Sequence, residues 1–350
     1  MKAGRKILFV CEANSSVGFG HLVRTRVLAA ALRRRGVASI LYGPSQALAV
    51  PADRSVFAHW IERPAWTSSR GDAMSVASLC RRYDVAQVVV DDYRADLDYQ
   101  RVLQSAGLDW MQQYDASRKQ HFLGRVVVNA SPYEKAEYYA GAAEHPGVRF
   151  LLGPRYAILR DEFAGVVPLR VNQRTGNVFV SFGGGSDRGA IRKTVEPLLE
   201  AGFDGIRFIV MSGGSNPLNP ELRCWANRFD ARRLQFYVSP PNVPDLMSLC
   251  DLAILGGGTT TYEAARCGLP MVLVTLAENQ HGQSLGWESS GAAVHAGRVD
   301  EIESSEFVKL FSALLGDEER RNRMSVKAAG LVDNNGASRL LNALFEETEL

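Results

Sequence analysis

The stretch that most constrains the fold is Asp251 to Gln280, DLAILGGGTTTYEAARCGLPMVLVTLAENQ. LAIL is an apolar run of strand length, Gly256, Gly257 and Gly258 interrupt it, and YEAARC begins a helix that Gly268-Leu269-Pro270 ends. MVLVTL is a second buried-type strand, and AENQ follows it at once. Glycines at a helix mouth let a ligand approach the backbone, where the free N–H groups of the first turn favour an anion, most simply a phosphate. Thr259, Thr260 and Thr261 offer N-cap oxygens. Glu263, one turn further in, is placed to accept two hydroxyl protons from a ribose diol. Glu278, Asn279 and Gln280 end the second strand on the edge where ligands bind in open α/β sheets.

The rest of the chain repeats this grammar. Lys6 to Cys11, SILY, SVFAHWI, AQVVVDD, LDWMQQYD and GRVVVN read as strands, with helices at His21–Arg35, Ala73–Tyr83 and Leu97–Ser105 between them. Continuous apolar strands alternating with helices indicate a parallel sheet covered on both faces. From Gly153 to Gly176 the pattern breaks. A second alternating run follows: NVFVSF, a helix from Asp187, GIRFIVM, a helix near Pro220, LQFYV, a short helix at Pro244–Leu249, then the stretch above and three helical segments, the last from Ala337 to Glu347. The 350 residues, 46% of them hydrophobic, exceed what one core usually holds. The expected division is an N-terminal α/β domain at 1–155, a linker at 156–176, a C-terminal α/β nucleotide-binding domain at 177–335, and a helix at 336–350 that would pack back on the first domain.

A formal charge of +2 gives no sign of a nucleic-acid partner. The five cysteines are odd in number and scattered, and read as reduced core residues. KILFVC is too short for a signal peptide, and no run approaches the ~20 apolar residues of a membrane span, so a cytoplasmic protein is expected.

Two further glycine loops compete for the chemistry. GFGHLVR, Gly18 to Arg24, is not the dinucleotide fingerprint, because G-x-G-x-x-G needs a glycine where Val23 stands. With Gly18 and Gly20 it places the imidazole of His21 and the guanidinium of Arg24 at a helix start, where the helix dipole favours the neutral ring that a general base needs. SFGGGSDRG, Ser181 to Gly189, repeats the anion-site logic with Gly184, Gly185 and Ser186, but lacks the Lys-Ser/Thr ending of a nucleotide-hydrolysing P-loop. VVVDDY sets Asp91, Asp92 and Tyr93 at a strand end, where the carboxylates read as acid, base, sugar contact or helix cap. The chain has no HxxxH, CxxC or Asp-rich ligand cluster, so neither metal nor cofactor is expected.

GxGHxxR after the first strand, VxDxY in the first half, LLGPRYAILRDEF at the boundary, the GG loop of the second half and GGGTTTYEAARCGLPMVLVTLAENQ together resemble the UDP-sugar hydrolases of the pseudaminic acid pathway, relatives of MurG-type glycosyltransferases. The resemblance covers nearly the whole chain. It implies a GT-B-like fold, two Rossmann-like doubly wound domains with a cleft between them, and release of UDP from a UDP-activated amino or deoxy sugar without a metal. It also assigns roles: His21 orienting or deprotonating the water, Tyr93 beside the sugar, Glu263 on the uridine ribose, Asn279 and Gln280 lining the sugar and phosphate site, and Ser186 with glycines 256 to 258 on the diphosphate. This chain departs from the family pattern on the sugar side, with Val10, Cys11 and Glu12 where an Arg and an Asp are usual and SSVGFGH where IGTGH is usual. Two other functions fit the same residues: a glycosyltransferase using the same donor, and a nucleotide-sugar binder in which His21 is only structural.

Overall fold

The computed structural model describes residues 5–14, 18–114, 120–168 and 176–346. By its internal contacts the chain divides into two units, Met1–Arg160 with Asn335–Leu350, and Asp161–Asn334. In the first unit the elements run β1 (Lys6–Cys11), α1 (Gly20–Arg34), β2 (Ala38–Gly43), α2 (Asp53–Val56), β3 (His59–Glu62), α3 (Ser69–Tyr83), β4 (Gln87–Asp91), α4 (Leu97–Ser105), β5 (Asp109–Gln113), β6 (Val126–Asn129) and β7 (Arg149–Leu152). All seven strands are parallel, in the order β3-β2-β1-β4-β5-β6-β7.

Period-two alternation divides this sheet between two cores. Ile7, Phe9 and Cys11 of β1 and Val89 of β4 pack with Leu22, Leu28 and Leu32 of α1. Leu8, Val10, Val88 and Val90 face the other way, onto Val76 and Cys80 of α3 and Tyr99 and Leu103 of α4. Each such side chain taken out of water contributes about 1.5–3 kcal/mol. Helix ends are set locally: the Ser68 hydroxyl accepts from Gly71 N, the Asp96 carboxylate accepts from Tyr99 N, and Gly36 leaves α1 at φ 72°.

The second unit runs β8 (Asn177–Ser181), α5 (Ala190–Glu200), β9 (Arg207–Ser212), α6 (Asn219–Ala226), β10 (Leu234–Val238), α7 (Val243–Ser248), β11 (Leu252–Gly256), α8 (Thr260–Arg266), β12 (Met271–Thr275), α9 (Glu278–Ser289), β13 (Ala293–Arg298), α10 (Ser304–Gly316) and α11 (Glu318–Leu331). Its strands are parallel in the order β10-β9-β8-β11-β12-β13. The final helix, α12 (Gly336–Phe345), belongs to the first unit and buries Leu340, Leu341 and Leu344 in the α1 side of its core. Its free carbonyls are met by Arg125, which donates to Ala343 O at 3.2 Å, Glu346 O at 2.6 Å and Leu344 O, and by Gln87, which donates to Leu344 O at 2.9 Å. A Cβ on Gly336 would lie 1.9 Å from Ala157 O, so only glycine fits there.

Several expectations need correction. Ser55 and Val56 belong to a helical turn rather than to the strand SVFAHWI, because Asp53 accepts from Val50 N and clamps Arg26, leaving His59–Glu62 as the strand. Two edge strands, β7 and β13, carry too few consecutive apolar residues to read as strands, and four helices rather than three follow β12. Glu278, Asn279 and Gln280, expected at the end of the second strand, already open α9. Cys224 is exposed, unlike the other four cysteines. Residues 169–175 of the expected linker, and the end of the last predicted helix at Glu347, lie outside the described residues.

Candidate functional site

The order of each sheet fixes where side chains can gather. In the first unit the chain leaves β1 toward β2 and leaves β4 toward β5, on opposite sides, which opens a crevice at the C-terminal ends of β1 and β4. In the second unit the corresponding switch lies between β8 and β11. The three glycine loops of the sequence follow β1, β8 and β11, so all three stand at a switch point.

At the first switch, Gly18 turns the loop with φ 92° and its N–H donates to Asn14 O at 2.8 Å. Gly20 starts α1, which puts His21 in the first turn, almost fully buried. Its Nδ1 lies 2.7 Å from Asp91 Oδ1 and 3.1 Å from Asp91 O. Arg24 closes on the same carboxylate through Nε at 2.5 Å and through Nη2. Burial works against a charge on Asp91, but the Arg24 guanidinium and the His21 ring outweigh it and hold the carboxyl well below the usual carboxylate range. An ionised carboxylate only accepts, so Nδ1 carries a proton toward Asp91. The Tyr93 ring meets the imidazole edge to face, centroids 4.8 Å apart at 84°. Cys11 pairs in register with Asp91, but burial and that neighbouring charge push its thiol up to about 12, which leaves it inert beside the histidine.

The structure gives two sequence candidates charged partners within the first unit. Arg24 is engaged with Asp91. Asp92 turns to the opposite face of the sheet, where Arg63 and Arg94 surround it: Arg94 N, Nε and Nη2 donate at 2.8, 2.9 and 2.8 Å, and Arg63 Nη1 adds a fourth bond. Arg63 also clamps Asp72 with Nε at 2.7 Å and Nη2 at 2.5 Å, and Arg94 reaches Glu12. The carboxylate that meets His21 is therefore Asp91. Strand parity carried that signal, because Val89 and Asp91 face α1 whereas Val88, Val90 and Asp92 face α3. No sequence motif marks Arg63, which lies just past β3.

At the second switch the two glycine triplets do different work. After β8, Gly183 takes φ 93°, and Gly184 is approached so closely that a Cβ on Gly213 would lie 2.4 Å from its backbone. Asp187 fills the mouth of α5 itself, accepting from Ile191 N at 3.0 Å and from Asn216 Nδ2 at 2.9 Å. Ser186 Oγ accepts from Arg188 N at 3.3 Å, and Gly185 beside it is half-buried.

After β11, Gly257 is required by α9, since a Cβ there would lie 2.4 Å from Ser284 Oγ and 2.8 Å from Gln280 O. Gly258 faces more open space, with nothing nearer than Gln280 Nε2 at 4.0 Å. Thr259 and Thr260 give α8 no side-chain cap. Instead Thr261, fully buried, donates to Gly258 O at 2.7 Å and accepts from Gln283 Nε2 and Trp287 Nε1, both at 2.9 Å. Glu263 is half-buried in the first turn of α8. Asn279 is exposed, and Gln280 Oε1 accepts from Leu276 N at 3.1 Å, tying α9 to the end of β12. Sequence reasoning offered Thr261 only as a cap and passed over Gln283 and Trp287, whose spacing from Gln280 along α9 was the available signal.

No protein-family model matches the chain. It is 24% identical over 277 residues to an uncharacterized protein of Methanocaldococcus jannaschii, covering 77% of this chain and only 55% of that one, so it spans about half the relative's length. It is 20% identical over 289 residues to the UDP-2,4-diacetamido-2,4,6-trideoxy-beta-L-altropyranose hydrolase of Campylobacter jejuni, covering 83% of this chain and 98% of that enzyme. Among solved structures, Acinetobacter baumannii MurG superposes with a TM-score of 0.69 at 15% identity, over 97% of this chain and 99% of MurG. The two parallel α/β sheets, seven- and six-stranded, are those of GT-B glycosyltransferase structures over the full length. The chain has the GT-B fold, and its sequence likeness to the Campylobacter hydrolase is a distant one.

Proposed function

We propose that the protein hydrolyses a nucleotide-activated sugar, a UDP-linked amino or deoxy sugar, at its anomeric carbon. The observation that carries this reading is the Arg24–Asp91–His21 relay, with Nδ1 held 2.7 Å from a carboxylate that is itself clamped. Such an arrangement fixes the tautomer, presents Nε2 as the base, and stabilises the imidazolium that forms. The water oxygen bonds to the anomeric carbon while its proton passes to Nε2. The bond from that carbon to the diphosphate oxygen breaks, its electron pair leaves with UDP, and attack opposite the leaving group inverts the carbon. Tyr93, packed on the imidazole, is assigned to the sugar.

On the second unit the nucleotide is assigned to the rim after β11 and β12. Glu263 takes the ribose hydroxyls, Gly257, Gly258, Thr259 and Thr260 lie along the diphosphate, and Asn279 and Gln280 complete the polar edge. Gly184, Gly185 and Ser186 form the adjoining edge after β8. A leaving diphosphate is stabilised by N–H groups and dipoles aimed where its charge develops. The Campylobacter relative, matched over 98% of its length and named for hydrolysis of a UDP-sugar, supports this choice. The full-length likeness to MurG favours a second reading, transfer of the same sugar to an acceptor. A panel of UDP-, dTDP-, GDP- and CMP-sugars incubated with pure protein separates them: hydrolysis yields free nucleotide and free sugar without acceptor, and transfer yields free nucleotide only once acceptor is added, with the sugar on the acceptor.

A further inference from the structure

One side chain to which the proposed reaction gives no role ties together the loops at the C-terminal edge of the first unit. Arg94 stands just past β4, one residue beyond Tyr93. Its backbone N–H and its Nε both donate to Asp92 Oδ1, at 2.8 and 2.9 Å, and its Nη2 donates to Asp92 Oδ2 at 2.8 Å. A carboxylate that accepts from the backbone N–H two residues on closes an Asx turn, and the residue at the centre of this one is Tyr93. Burial works against a charge on Asp92, but Arg94 and Arg63 outweigh it and hold the carboxyl below the usual carboxylate range. The turn that presents Tyr93 is thus fastened at both of its ends.

From the same guanidinium two more contacts run outward. Nη2 also pairs with Glu12, the first residue past β1. Its Cζ lies 4.2 Å from the ring centroid of Trp66, in the stretch between β3 and α3. Glu12 carries the connection on: its Oε1 accepts from Asn14 Nδ2 at 2.9 Å, and Asn14 O accepts from Gly18 N at 2.8 Å, two residues before α1 opens. Arg94 therefore joins the exits of β1, β3 and β4. Two of those exits carry the rings that meet with centroids 4.8 Å apart, His21 after β1 and Tyr93 after β4. A lone surface ion pair contributes little, but a planar fork that bonds two carboxylates and covers an aromatic face fixes geometry as well. With side chains 35% and 21% exposed, Arg94 and Glu12 meet at the rim, where the pair can be cut without opening a cavity in either core.

We propose that Arg94 is a positioning residue for the reaction, a latch that holds Tyr93 against the His21 imidazole by tying the loop after β4 to the loop after β1. A misplacement of about 1 Å at a reacting group costs about 10²-fold in rate, so a group that fixes two loops across a crevice acts on catalysis without touching substrate. The inference rests on the reading of His21 as the base, and its test keeps the two apart.

The latch is read first on His21 itself, by NMR of the full chain with 13C-labelled histidine. The imidazole C–H resonances of His21, assigned by their loss in His21→Asn, carry the ring-current shift of Tyr93 that Tyr93→Leu removes. In Arg94→Ala and in Glu12→Ala they should move toward their positions in Tyr93→Leu. With the best UDP-sugar of the panel, Arg94→Ala should lower kcat by about 10–10²-fold while KM and UDP affinity stay close to wild type. The double variant E12A/R94A should lose no more than Arg94→Ala alone, because both changes cut one connection. Wild-type resonances in Arg94→Ala, or a change confined to KM, overturn the latch and leave the hydrolysis reading standing. Moved resonances in a protein whose wild type releases nucleotide from no sugar of the panel support the latch and overturn the hydrolysis reading. Glu12→Ala leaves Asp92 with all its partners, and so reads the same latch should Arg94→Ala fail to fold.

Discussion

The two switch points are built from opposite materials. At the first, buried charges face one another across strand ends: Asp91 with Arg24 and His21 on one side of the sheet, and Asp72 and Asp92 with Arg63 and Arg94 on the other. At the second, the contacts around Gly256–Gly258 are neutral hydroxyls, amides and backbone, centred on Thr261, Gln280 and Gln283. A rim of fixed charges can set the protonation of a reacting group. A rim of neutral donors and bare backbone suits a ligand that brings its own negative charge.

The largest expected effect breaks the charged rim at its relay. Asp91→Asn removes the ionised acceptor from Nδ1, and nucleotide release should fall by about 10²–10⁴-fold while UDP still binds. Single-turnover release and calorimetry check the pair of statements. Loss of binding together with rate would mean that the first rim holds nucleotide too.

Next, Arg63→Ala leaves Asp72 and Asp92 buried with less countercharge. Removal of one partner of such a buried group costs about 3–5 kcal/mol, to be read as a shift in the denaturation midpoint at unchanged slope. An unshifted midpoint would make that side of the rim a surface feature. On the neutral rim, Glu263→Ala should weaken UDP by about 1.5–3 kcal/mol and leave stability alone, and unchanged affinity in a folded variant would remove Glu263 from the site.

The smallest expected effect concerns pH. Asp91 has a folded-state pKa below its unfolded value of about 3.9, so the stability it contributes is present above about pH 4 and fades as pH falls toward the depressed value. Across pH 5–8 it stays ionised. An acid fall in rate within that window therefore does not come from Asp91, and a fall that persists unchanged in a variant lacking His21 would contradict the relay.

Much of this was legible in the sequence, though unevenly. Runs such as ILFV, VVV and LAIL gave the inner strands because both faces of those strands are covered. The edge strands β7 and β13 escaped, since RFLL is short and AVHAGR is half-exposed with small and polar residues. His21 was singled out from glycine spacing and Tyr93 from its place at a strand end, whereas the choice between Asp91 and Asp92 needed strand parity together with the side on which α1 lies. Some glycines also answer to packing that the sequence hides. Gly257 and Gly213 are dictated by close packing against Ser284 and Gly184, contacts distant in sequence that no local pattern reveals.

The most direct test of the account is acceptor-free nucleotide release by His21→Asn, using the best substrate of the sugar-nucleotide panel and UDP binding to the same preparation. The account predicts a loss of about 10²–10⁴-fold in rate with UDP affinity unchanged. Release at the wild-type rate by a variant that binds UDP normally would contradict it, and would leave His21 a buried structural partner of Asp91.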